Sequence, residues 1–138
     1  MYQTILMPLD GTPTDRTIIE HIKQLATILH SRVVVFHVAT SAAAQWHGPD
    51  AGGEAVEESQ VYLDKVKAEF EAVGIPTEAE LAYGDPVREI VKRIQEKGCD
   101  LVAMGTHGHR GVADLFLGTT ASPVQHHVSV PVLLLRAK

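Results

Sequence analysis

Val33-Val34-Val35-Phe36 places apolar side chains in an unbroken row between Arg32 and Val38. Successive residues of a strand point to opposite faces, so a strand apolar at every position is buried on both. Such strands belong to parallel sheets covered by helices on each side. Ile5-Leu6-Met7, within Thr4 to Leu9 and closed by Pro8, Asp10 and Gly11, reads the same way. Further strands are predicted over Thr77 to Tyr83 (weaker), Leu101 to Met104 and Val132 to Leu135.

Stretches of helical period separate these runs. Thr12-Pro13-Thr14-Asp15 has a capping hydroxyl, a first-turn proline and an acid three residues on, and Ile18, Ile22, Leu25 and Leu29 follow along one helix face. Leu63, Val66, Phe70 and Val73 mark a second helix, stopped by Gly74 with Pro76 beyond. Asp85 caps a third that opens on Pro86 and buries Val87, Ile90, Val91 and Ile94 before Gly98. Ala39 to Gly53 reads as a loop, and a short helix is expected around Val124 to Val128. Strand-helix alternation of this kind gives an α/β fold with a doubly wound parallel sheet, its ligand site at the carboxyl ends of the strands where the winding reverses.

The 138 residues suit one domain over 1–138, and the net charge of −5 argues against nucleic acid as a partner. Cys99 is the only cysteine, which fits a reducing compartment. The start lacks a signal peptide's basic region and cleavage site, and the apolar runs are far below the ~20 residues of a membrane span. A cytoplasmic protein without membrane contact is expected.

The chemistry is concentrated in Gly105-Thr106-His107-Gly108-His109-Arg110-Gly111 and in Gly118-Thr119-Thr120. A glycine directly after a strand lets the chain turn closely past a ligand, and amides and hydroxyls before a helix form a site for phosphate oxygens. The connection between them is long, and long loops in compact domains tend to be functional. Turn-forming glycines alone would be the blander explanation. The spacings of three and ten residues, the hydroxyl pair and the fold favour phosphate binding. Neither the G-x-x-x-x-G-K-[ST] loop nor the G-x-G-x-x-G fingerprint is present.

Gly105-x2-Gly108-x9-Gly118-Thr119 resembles the glycine signature of ATP-binding universal stress proteins. Ile5-Leu6-Met7-Pro8-Leu9-Asp10-Gly11-Thr12 is similar to that family's first strand and turn, Val35-Phe36-His37-Val38 to its second strand and Pro131 to Arg136 to its last. The resemblance covers essentially the whole chain. It implies a five-stranded sheet of order 3-2-1-4-5, Rossmann-like, of the adenine nucleotide alpha hydrolase type. It also implies ATP, with Mg²⁺ on its phosphates, as the ligand. Asp10, flanked by Pro8 and Leu9, would meet the adenosine end, and Val38 would contact the adenine. Met104, Gly105, His107, Gly108, His109, Arg110, Gly118, Thr119 and Thr120 would surround the ribose and phosphates. Thr120 stands where the family often has valine, and Ser122-Pro123-Val124-Gln125 offers an alternative helix start that would aim the amides of Thr119 and Thr120 differently.

Other residues have simpler explanations. Asp10 could form an Asx-turn with Gly11 and Thr12, although its position favours a ligand role. His37 reads as a hydrogen-bonded core histidine and Cys99 as structural. His107 and His109 lack a third ligand for a metal. His126 and His127 suit a helix C-terminus, and Trp46 is a lone loop aromatic. No nucleophile-base pair or paired carboxylates form a local motif. A regulatory ATP-binding module is therefore the leading reading. A slow ATPase or adenylyl-transferring enzyme of the same architecture, and a nucleotide-free interaction module, are its rivals. A homodimer paired through Val132, Leu133, Leu134 and Leu135 is expected, with a protein partner that the sequence does not identify.

Overall fold

The structure, a computed structural model, describes residues 1–39, 53–106 and 122–137. Its elements run β1 (Thr4–Pro8), α1 (Asp15–Leu29), β2 (Arg32–Ala39), α2 (Gly53–Ala72), β3 (Thr77–Tyr83), α3 (Pro86–Lys97), β4 (Leu101–Thr106), α4 (Ser122–His127) and β5 (Val132–Arg136). The strands form one parallel sheet of order β3-β2-β1-β4-β5, as the resemblance implied.

The strand alternation sorts the core into two layers. Ile5, Met7, Val33, Val35, Leu101 and Ala103 face α1 and α2, where they meet Ile18, Ile22, Leu63, Val66 and Phe70. Leu6, Val34, Phe36, Val102 and Met104 face the other way, against Ile90 and Ile94 of α3 and Val124 of α4. Residues adjacent in sequence thus belong to different cores, which is why the runs are apolar throughout.

Glycine stop signals act as expected. Gly74, at φ +85°, ends α2 with Gly74 N–H donating to Glu71 O and Ile75 N–H to Phe70 O, both 3.0 Å. These paired bonds satisfy the last carbonyls of the helix and turn Ile75 into the core beside Phe70. Val73 is therefore not part of the buried stripe; it lies past the helix end and is 51% exposed. Gly98 ends α3 in the left-handed region, and Asp85 caps it by accepting from Arg88 N–H at 2.8 Å.

Other boundaries differ from the expectation. α1 begins at Asp15, and Thr14 in the cap position makes no side-chain cap bond. Thr12 and Pro13 instead form a turn whose carbonyls accept from Asp15 and Arg16 N–H. The α1 stripe also buries Ile19 and Ala26, while Leu25 and Leu29 are only partly buried. Ala39 closes β2 and Gly53 opens α2, so both ends of the expected loop are regular structure; 40–52, with Trp46, lie outside the described residues. β4 continues two residues beyond Met104, because Gly105 and Thr106 still pair with Leu135 and Arg136 of β5. α4 starts at Ser122 and ends before Val128.

The two sheet edges are chemically unlike. On β3, Glu80 accepts from Arg93 and Lys97, each at 2.7 Å, and Glu78 pairs with Arg32 and Lys97. The Arg93 guanidinium also sits 5.0 Å from the Phe36 ring centroid. On β5 the edge is the half-buried apolar row Val132, Leu133, Leu134 and Leu135.

Candidate functional site

Winding reverses between β1 and β4. Crossovers through α1 and α2 build the sheet to one side of β1, and those through α3 and α4 build it to the other. β1 and β4 pair only at Ile5↔Leu101 and Leu6↔Val102. Beyond those pairs β1 continues to Pro8 and β4 to Thr106, leaving a crevice at the carboxyl ends of the strands. This is where an open α/β sheet holds its ligand.

Pro8, Leu9 and Asp10 form one wall of this end. Leu9 N–H donates to Phe36 O at 2.7 Å, extending the link between β1 and β2. His37 Nδ1 lies 2.8 Å from Leu9 O, so it is the hydrogen-bonded histidine expected of it. Leu9 and Val38 are buried at the ends of adjacent strands, in opposite core layers. On β4 the Met104 side chain is fully buried against α3 and α4, which leaves its main chain to border the crevice. Gly105 has no left-handed backbone, and a Cβ there would meet Ile18 Cγ2 at 3.5 Å. That is an ordinary van der Waals distance, so packing against α1 does not demand glycine here; the sharp post-strand turn expected at this glycine is absent because β4 is longer. His107, Gly108, His109, Arg110, Gly118, Thr119 and Thr120 lie outside the described residues.

Asp10 makes the Asx-turn: its Oδ1 accepts from Thr12 N–H at 2.9 Å and from Thr12 Oγ1 at 2.6 Å. Gly11 follows at φ +84°, where glycine is the comfortable residue. The turn leaves the amides of Asp10 and Gly11 without strand or helix partners, and Asp15 supplies them. Asp15 Oδ1 accepts from Asp10 N–H at 3.1 Å, and Oδ2 accepts from Gly11 N–H at 2.9 Å and from Tyr62 O–H at 2.7 Å.

Asp15 is 6% exposed. Its carboxyl is pushed up to about 6, chiefly by burial; the hydrogen bonds from Tyr62, Asp10 and Gly11 oppose the rise and the nearby Asp10 charge adds to it. The same contact and burial raise the Tyr62 phenol. Sequence reasoning took Asp15 for an ordinary first-turn acid and overlooked Tyr62. The available signal was the question of what satisfies two amides in a tight Asp-Gly turn.

Arg16, next in the chain, is turned to Glu20 and Glu69 at 3.0 and 2.9 Å. Among the described residues, no group of three His, Cys, Asp or Glu could hold a metal ion, and no helix is long and apolar enough to cross a membrane. Cys99 is buried, and its thiol is pushed up to about 11 by burial and by Asp100.

The end of β1 thus carries a polar turn whose amide groups are already engaged by Asp15.

The profile of the Universal stress protein family matches residues 1–136. A universal stress protein of Thermus aquaticus is 33% identical over 99% of this chain and 100% of its own length. The solved structure of MJ0577 from Methanocaldococcus jannaschii superposes with a TM-score of 0.84 at 28% identity, covering 100% of this chain and 98% of that one. Two more distant folds were solved with nucleotides. A universal stress protein in complex with cAMP has a TM-score of 0.76 at 19% identity, with 99% of both chains covered. An Archaeoglobus fulgidus universal stress protein in complex with dAMP has 0.72 at 16%, covering 96% and 97%.

Proposed function

Because this chain belongs to the universal stress protein family, we propose that it is a cytoplasmic regulatory protein that holds ATP, with Mg²⁺ on its phosphates, in the crevice between β1 and β4. The observation that carries this reading is the signature Gly105-x2-Gly108-x9-Gly118-Thr119, which opens on the end of β4 opposite the Asp10 turn. Asp10 and Val38 receive the adenosine, and His107 to Arg110 with Gly118, Thr119 and Thr120 receive the phosphates. Distant members of the same fold were solved in complex with cAMP and dAMP, which supports an adenine nucleotide in general terms. The choice of ATP rests on the signature. The whole of residues 1–138 acts as one domain.

ATP is read here as a ligand whose presence a partner protein senses. The contrast between the sheet edges favours assembly through β5, whose apolar row would pair antiparallel with a second copy, whereas charged Glu78 and Glu80 protect β3.

Mass spectrometry of the nucleotide that co-purifies, followed by calorimetry with ATP and GTP, tests the reading. ATP should be retained and bound more tightly than GTP, and Gly118→Val should abolish binding with the fold intact. Equal affinity for the two nucleotides would remove the adenine assignment. Light scattering that gives a monomer at micromolar concentration would remove the dimer.

A further inference from the structure

A buried carboxylate that ties its bonds to a ligand-binding turn is doing something other than maximising stability. Asp15 lies at the start of α1, yet it does not cap that helix, and among the described residues it pairs with no cation. Its two oxygens are spent on the amides of Asp10 and Gly11 and on the hydroxyl of Tyr62, which comes from the middle of α2 and lies 47 residues away in sequence. The turn is thereby held between two helices. On its other side His37 of β2 holds the carbonyl of Leu9.

We propose that Asp15 is the positioning residue of the nucleotide site: as a carboxylate it sets the backbone of Asp10 and Gly11 for the adenosine end, and on protonation it releases them. The proposal rests on the nucleotide reading above. Its chemistry follows from the acceptor count. The carboxylate accepts all three donors; the protonated acid carries a hydrogen on one oxygen and keeps fewer and weaker acceptor sites for the two amides, even where the Tyr62 oxygen turns to accept that hydrogen. Losing a charge-assisted bond to a buried amide should weaken binding about tenfold.

Among the described residues, few charged or titratable groups lie near Asp15. Asp10 lies on the turn itself, Tyr62 on α2 and Arg16 beside it on α1, the last held by Glu20 and Glu69. β1 contributes no titratable side chain over Thr4–Pro8. His37 can donate from Nδ1 both as a neutral tautomer and as a cation, so its bond to Leu9 survives protonation. The raised affinity of Asp15 for a proton puts the release within the mildly acidic range.

Two measurements on the full chain decide the matter. The first is a nucleotide-free pH titration of the Asp10 and Gly11 amide signals by NMR. The second is calorimetric ATP binding over the same range, from about pH 5 to pH 8. In the wild type both amides should move together with one midpoint, and ATP affinity should fall about tenfold on the acid side of it. Asp15→Asn, with circular dichroism as a fold check, should bind ATP more weakly at neutral pH and lose that component of the pH profile. Any contribution of His37, His107 or His109 would persist in it. Tyr62→Phe removes the donor that lowers the Asp15 proton affinity, so its midpoint should move upward. Amides that do not titrate, or an ATP profile unchanged in Asp15→Asn, would overturn the role of Asp15. Absence of ATP binding at every pH would instead overturn the nucleotide reading, while the amide titration still reports on the clamp.

Discussion

Replacing Asp15 by Asn should flatten a specific part of the stability-pH profile. The folded carboxyl titrates at about 6, against 3.8 for an ordinary Asp side chain. Burial raises it, so the folded state binds the proton more tightly than the unfolded chain does. Stability from this group is therefore complete below the unfolded value, falls as pH rises and is lost above the folded one. A displacement of this size corresponds to about 3 kcal/mol, most of which is lost between pH 4 and pH 7. Asparagine cannot titrate. The difference in unfolding free energy, variant minus wild type, should thus rise by about that amount across the interval. A constant offset from the weaker Asn hydrogen bonds does not alter the slope. Urea unfolding at a series of pH values, followed by circular dichroism and extrapolated linearly, gives the two profiles. Subtracting them cancels the other carboxylates. Parallel profiles would show that Asp15 is not destabilised by burial and would refute the reasoning.

Phe70→Ala should destabilise by ~3 to 5 kcal/mol in the same assay, because Phe70 is fully buried between α2 and the sheet and its removal leaves a cavity. Asp85→Ala should cost about 1 kcal/mol through the lost cap to Arg88 N–H. Cys99, buried with its thiol held at about 11, should resist a thiol reagent at neutral pH until urea unfolds the chain; rapid labelling of the native protein would contradict its burial. Turnover should be far below the ~1 to 100 s⁻¹ of kinases. Single-turnover hydrolysis of labelled ATP with Mg²⁺ should show slow loss that Asp114→Asn leaves unchanged, Asp114 being the one carboxylate in the sequence from Thr106 to Leu117 that could orient a water. Loss within seconds that the substitution abolishes would make the protein an enzyme.

The legible features were those encoded locally. Unbroken apolar runs, buried on both faces, named the central strands, 3.6-residue stripes named the helices, and Gly74, Gly98 and Asp85 marked boundaries that the structure reproduces. Strand order came from the resemblance, because a run such as Val33 to Phe36 reports burial on both faces and not which strand lies beside it. Errors fell where a local signal competed with a tertiary one. Val73 continues the α2 period but lies just past the helix end at Ala72, before the Gly74 turn, and Ile75 takes its place in the core. Thr12 looks like a cap, yet its hydroxyl bonds to Asp10 and the helix starts later. Gly105 looks like the end of a strand, yet pairing with Leu135 carries β4 past it.

The sequence by itself determined an α/β fold with a doubly wound parallel sheet and pointed to the end of that sheet where a ligand belongs. Hydrophobic period and turn chemistry act over a few residues and can be read from the chain in order. Only the tertiary structure decided what holds the Asp10 turn in shape. Asp15 and Tyr62 meet because α1 and α2 pack on the same face of the sheet, bringing together groups 47 residues apart. The proton affinity of that carboxyl follows from the water excluded around it, which no spacing of residues along the chain records.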